Sequence, residues 1–160
     1  MISIYSIPTL ITAILILALG IFVLIKNKVA LLNRLFFFLC TSAFVWLLGY
    51  TIVYSCKDEN SALFWSRISY VGVVFIATAD LHFALTFIGI NKEKRKLISL
   101  AYIISFAYLI ISQTNIFLTG MNKFFWGYYP KITYAYYPFL LYFYSIYMFI
   151  PLYLYRYKGR

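Results

Sequence analysis

Polar residues in this chain are gathered into short clusters. Between them lie apolar runs over residues 4–25, 35–54, 64–90, 97–118 and 136–155. A helix needs about 20 apolar residues to cross a bilayer core about 30 Å thick, and each run meets that length. In hydrocarbon every backbone N–H and C=O needs an internal partner, so a span is a helix or part of a closed barrel. Barrel strands alternate lipid-facing and lumen-facing residues, and these runs show no such alternation. The pattern predicts an all-α, polytopic transmembrane helical bundle of about five spans. It is read as one integral membrane domain over residues 1–160, with no soluble domain.

Composition strengthens this reading. Hydrophobic residues make up 64% of the chain and charged residues 11%, where a soluble domain is nearer half and a quarter. The apolar excess needs lipid to cover it.

The net charge of +10 raises the question of nucleic-acid binding, and its placement answers against it. Lys26, Lys28 and Arg34 follow the first run. Lys92, Lys94, Arg95 and Lys96 follow the third, and Arg156, Lys158 and Arg160 the fifth. Ten of the 14 basic residues therefore share one side. Lys57, Arg67, Lys123 and Lys131 lie on the other, and Arg67 is expected to snorkel to the headgroups. Basic loops favour the cytoplasm, so the N-terminus is expected outside and the C-terminus inside. The same loops suit anionic lipid; the expected partner is the bilayer and not nucleic acid. The first run has no basic residue before it and exceeds the usual signal-peptide core, so it reads as an uncleaved span.

The third run carries the one acid embedded in a span, Asp80, and the one histidine, His82. A charged Asp at a helix centre costs about 2.5–3.5 kcal/mol on insertion scales, so such residues face protein or a wet cavity. Two positions apart on a helix is about 200° of rotation. The two side chains therefore point to nearly opposite faces, and the third span is expected to be central. The His82 face collects Thr78, Ala79, Thr86 and Gly89; the Asp80 face has Ala77 and Ala84. Matching stripes are Ser42, Trp46 and Gly49 in the second span, and Ala101, Ser105, Tyr108 and Ser112 in the fourth. Small and hydroxyl side chains let membrane helices approach closely. Asp80 and His82 keep two readings: interhelical hydrogen bonding, or a ligand or proton site.

The long outer loop, residues 119–135, contains Phe124-Phe125-Trp126-Gly127-Tyr128-Tyr129-Pro130. It reads as an interfacial aromatic belt or as a lid over an outward-facing cavity. Gly127 and Pro130 point to a defined turn. Cys40 and Cys56 have no metal-site or redox spacing, and Cys40 reads as a small packing residue. No catalytic motif, cofactor site or metal-ligand cluster emerges.

Several stretches resemble the N-terminal seven-helix membrane region of bacterial sensor histidine kinases. They are Trp46-Leu47-Leu48-Gly49-Tyr50, Phe64-Trp65-Ser66-Arg67-Ile68-Ser69-Tyr70-Val71-Gly72, Leu81-His82-Phe83-Ala84-Leu85-Thr86-Phe87 and Trp126-Gly127-Tyr128-Tyr129-Pro130-Lys131, with the Tyr-rich span after them. The resemblance covers most of the chain. It implies a sensory input module in a bacterial cytoplasmic membrane, followed in that family by a histidine kinase, often with PAS domains, or a diguanylate cyclase. Two further spans of that family and any output module are expected beyond Lys158-Gly159-Arg160, where the sequence stops. A fragment or a short gene product is therefore expected, not an enzyme by itself. His82 lies inside the membrane and is not a phosphoacceptor. Candidate ligand-binding or sensing residues are Trp46, Asp80, His82 and Trp126, and a homodimer is a candidate assembly. The alternatives are a transporter or channel component using Asp80, for which no internal repeat speaks, and an auxiliary structural subunit.

Overall fold

A computed structural model describes residues 3–158. Arg160, counted above among the basic residues, lies outside the described residues. A short 3-10 turn, Ile4–Ser6, leads into α1 (Ile7–Lys26). Then follow α2 (Leu31–Val53), α3 (Glu59–Phe87), α4 (Arg95–Ser112), strands β1 (Leu118–Phe124) and β2 (Gly127–Ile132), and α5 (Tyr136–Lys158). Among the described residues, four helical stretches are long and apolar enough to cross a membrane: Ile4–Lys26, Leu31–Val53, Glu59–Phe87 and Arg95–Ser112. The fifth run is also a helix of 23 residues, but its many tyrosines lower its hydropathy.

The helix boundaries follow from local chemistry. Pro8 sits in the first turn of α1, where its missing N–H costs no hydrogen bond. The Asp58 carboxylate caps α3 by accepting from the Ser61 N–H at 2.8 Å. At the other end Gly89 takes a φ of +80°, a conformation open to glycine without a Cβ penalty. The Gly89 N–H then donates to the Thr86 carbonyl and the Ile90 N–H to the Leu85 carbonyl, both at 3.0 Å. This double closure stops the helix. Gly89 thus ends α3, where the sequence had suggested a place on the His82 packing face.

Helix α3 is central. It packs against α2, α4, α5 and both strands, whereas α1 packs on α2. Half of its most apolar stretch (50%) is buried, against 11% for α1. Small residues bring these helices together. A Cβ on Gly49 of α2 would collide with the Ser69 hydroxyl of α3. A Cβ on Gly72 of α3 would collide with the Ser42 carbonyl of α2. A Cβ on Gly20 of α1 would come within 2.6 Å of the Cys40 Cβ, so Cys40 is a packing residue.

The fourth apolar run is not helical to its end. Helix α4 stops at Ser112, and the loop expected over residues 119–135 is an antiparallel hairpin beginning at Leu118. Phe124 pairs with Gly127 across a two-residue turn, Phe125-Trp126, and Met121 pairs with Pro130. The hairpin's inner side chains explain the change. Phe117 and Leu118 are fully buried at 0% exposure beside Tyr70, Val74 and Phe139. Their apolar character serves this protein core and does not extend a span.

Hydrogen bonds hold the hairpin on the bundle. The Met121 N–H donates to the Glu59 carboxylate at 2.9 Å, and the Tyr128 hydroxyl donates to the Lys57 carbonyl at 3.2 Å. The Arg67 guanidinium donates to Asn115 Oδ1 at 2.6 Å. This contact ties α3 to the segment between α4 and β1.

Candidate functional site

The hairpin end of the bundle holds a half-open cavity of about 310 Å³, with Trp46 and Tyr129 partly exposed at its walls. Its lining is Thr9 of α1, Trp46, Leu47 and Tyr50 of α2, Tyr54 just after α2, Tyr70 and Val73 of α3, Tyr129 of β2 and Tyr136 of α5. Trp46, Tyr50 and Tyr54 recur every four residues, which stacks them along one face of α2. Their rings form a ladder. Trp46 meets Tyr50 edge to face at 6.3 Å, and Tyr50 meets Tyr54 at 5.8 Å. The ladder continues into the hairpin through Tyr54 and Trp126 at 5.6 Å, then Trp126 and Tyr129 at 6.1 Å.

The opposite wall is Tyr70, 4% exposed, with Tyr136 edge to face at 6.2 Å. The Tyr70 hydroxyl neighbours those of Tyr50 and Tyr136. Among the described residues no carboxylate, amine, guanidinium or imidazole lines the cavity. The Thr9 hydroxyl already donates to the Ser6 carbonyl at 2.8 Å and accepts from the Thr51 hydroxyl at 3.0 Å. Free polar capacity in the cavity is therefore the tyrosine hydroxyls and the Trp46 indole N–H. A flat ring can stack there and hydrogen-bond at its rim.

Of the residues singled out from the sequence, Trp46 lines this cavity. Trp126 sits behind it, half-buried against Tyr54 and Tyr129. Asp80 and His82 lie outside it, on different seams. His82 Nδ1 is 3.2 Å from the Tyr102 hydroxyl of α4. Asp80 is half-buried, within electrostatic reach of the Tyr147 phenol of α5. One turn on from Asp80, Ala84 lines a small crevice with Phe149, Ile150 and Tyr153 of α5. Between these seams the Thr78 hydroxyl meets Ser105 at 2.7 Å and Tyr142 at 2.6 Å. The Tyr142 hydroxyl also lies 3.1 Å from the Ala101 carbonyl as donor. This buried cluster joins α3, α4 and α5.

Sequence reasoning did not pick out Tyr50, Tyr54, Tyr70 or Tyr136 as site residues, and it named Tyr129 only within the aromatic loop. The four-residue spacing of Trp46, Tyr50 and Tyr54 was the available signal. Among the described residues no group of three or more His, Cys, Asp or Glu side chains converges to hold a metal.

The family model for the N-terminal 7TM region of histidine kinase matches residues 8–157. The chain belongs to that family. It is a sensor module of the histidine kinase type and a multi-pass membrane protein. This family region is the input part of such kinases, so the match assigns no catalytic centre to residues 8–157. No curated protein matches the chain, and no solved structure matches it.

Proposed function

We propose that this chain receives a cue at its outer end and passes it through α3 and α5 to a cytoplasmic output module. The output is a histidine kinase or a related cyclase, and the membrane is a bacterial cytoplasmic membrane. The observation that carries the reading is the aromatic cavity under the hairpin, at the opposite end from the basic loops. Basic loops favour the cytoplasmic side, which puts the cavity and the N-terminus outside and makes α5 a fifth span.

Trp46 is a wall residue and Trp126 supports the lid. His82 and Asp80 belong to the α3–α4 and α3–α5 seams, whose packing must change for a signal to cross. A cue transmits only through different affinity for two packings. The cavity meets that requirement because its walls come from α1, α2, α3, α5 and the hairpin, so filling it biases their relative positions.

The test joins the whole chain in frame to a histidine kinase core and measures autophosphorylation in membranes. Trp46→Ala is expected to change basal output by about threefold or more while the protein still inserts. Unchanged output from both Trp46→Ala and Trp126→Ala would defeat the assignment.

A further inference from the structure

We infer that the cavity under the hairpin takes an uncharged, flat ring compound bearing a hydrogen-bonding oxygen. This rests on the cavity being the sensing site.

The size suits one small molecule, since ligand pockets begin at about 300 Å³ and this one is about 310 Å³. Its walls favour flat rings. Trp46, Tyr50, Tyr54, Tyr70, Tyr129 and Tyr136 supply six aromatic surfaces from four elements and the turn after α2. Three of its polar groups lie together. The neighbouring hydroxyls of Tyr50, Tyr70 and Tyr136 can each donate or accept a hydrogen bond, so a hydroxyl or carbonyl on the ligand would find a partner there.

Charge decides between a neutral ring and an organic cation. Aromatic cages bind quaternary ammonium groups, so the cation has to be weighed. Among the described residues no acid lines the cavity, and burying an unpaired charge is costly. Asp80 is seven residues beyond the wall residue Val73, about 10 Å down the helix. The polar ends near the hairpin carry Lys57, Arg67, Lys123 and Lys131 against Asp58 and Glu59, and both acids are engaged with backbone N–H groups. The local field therefore opposes a cation. An anion would meet phenolic and indole faces with no positive side chain among the described residues of the lining, which leaves the neutral ring.

The experiment uses the full chain in lipid nanodiscs, with 1-naphthol as the neutral probe and benzyltrimethylammonium as the cationic one. Empty nanodiscs give the lipid background. Saturable 1-naphthol binding is expected, weakened about three- to tenfold by Tyr70→Phe, which removes one hydrogen bond and keeps the ring. Val73→Phe, which fills the cavity from an ordinary helical position, is expected to abolish it. Asp80→Asn is expected to leave it unchanged. Tighter binding of benzyltrimethylammonium, or loss of binding in Asp80→Asn, overturns the neutral class while leaving the sensing site in place. Absent binding of both probes, with output still altered by Trp46→Ala in the kinase fusion, also overturns the ligand class alone. Absent binding together with unchanged output overturns both.

Discussion

Trp126 and Tyr54 meet edge to face across the boundary between hairpin and bundle, their ring centroids 5.6 Å apart and their planes at 88°. The contact links the tip of the hairpin to a residue that walls the cavity. It is tight because Gly127 follows Trp126. Gly127 has a φ of +137° and lets the Tyr54 Cα come within 3.0 Å of where a Cβ would stand. The neighbouring Phe125 is 87% exposed, so one aromatic of the turn faces outward and the other holds the lid down.

Trp126→Ala should therefore loosen the lid without unfolding the helices. Edge-to-face aromatic pairs contribute about 0.5–1.5 kcal/mol beyond area burial, which is about two- to tenfold in an opening equilibrium. In a Cys40→Ala, Cys56→Ser background, a Tyr50→Cys probe should react that much faster with a water-soluble thiol reagent. An equal rate with and without Trp126 would show that the hairpin does not cover the cavity.

The α2–α3 seam should be the least tolerant of bulk. Gly49 faces the Ser69 hydroxyl and Gly72 faces the Ser42 carbonyl, so each helix presents a glycine to the other. Gly72→Val has to push the helices apart at a point where the Trp46 N is 2.8 Å from the added Cβ. Overpacking costs about 1–3 kcal/mol. The variant should lose thermal stability in detergent, and because Trp46 lies on the same seam, it should disturb the cavity as well. Gly89→Asn, at a helix end with no neighbour within 4 Å of an added Cβ, should be far milder, since Asn also tolerates positive φ.

Much of this arrangement was legible because a helix repeats every 3.6 residues. The stripe Ser42, Trp46 and Gly49 named the face of α2 that meets α3. The two-residue offset of Asp80 and His82 sent one toward α5 and the other toward α4. The hairpin was not legible. Phe117 and Leu118 extend an apolar run, and composition cannot distinguish burial in protein from burial in lipid. Pro130 and the aromatics around it gave no period-two pattern either. The cavity was hidden for a different reason: its walls come from α1, α2, α3, β2 and α5, and tyrosines meet there only after the whole bundle has packed.

The Thr78, Ser105 and Tyr142 hydroxyls form one unit across three helices. Interhelical hydrogen bonds in membranes average about 0.6 kcal/mol and reach about 1.7. Tyr142→Phe keeps the ring stacked beside Tyr108 at 6.3 Å and removes one hydroxyl. Thr78→Val removes the shared partner. Because the two act in one network, the double variant should cost less than the sum of the singles. Strict additivity in thermal melts would show that the hydroxyls act independently.

The cap on α3 gives a prediction for acid. The Asp58 carboxylate accepts hydrogen bonds from the backbone and side chain of Ser61, which hold its pKa below the ordinary value of 3.8. A folded-state pKa below the unfolded one means that the cap stabilises α3 fully above the unfolded value. That contribution fades as pH falls through the folded value. Hydrogen exchange at the Ser61 amide, corrected for intrinsic rate, should therefore rise below about pH 4. Asp58→Asn can still accept a hydrogen bond as an N-cap but cannot titrate, so its exchange should stay flat through the same range. The change reaches the lid as well, because Glu59, the first residue of the capped turn, accepts from the Met121 N–H of β1 at 2.9 Å. Exchange at Met121 should rise together with that of the cap in the wild type and remain level in Asp58→Asn. Acid-induced exchange at Met121 that persists in Asp58→Asn would show that the lid is not coupled to the α3 cap.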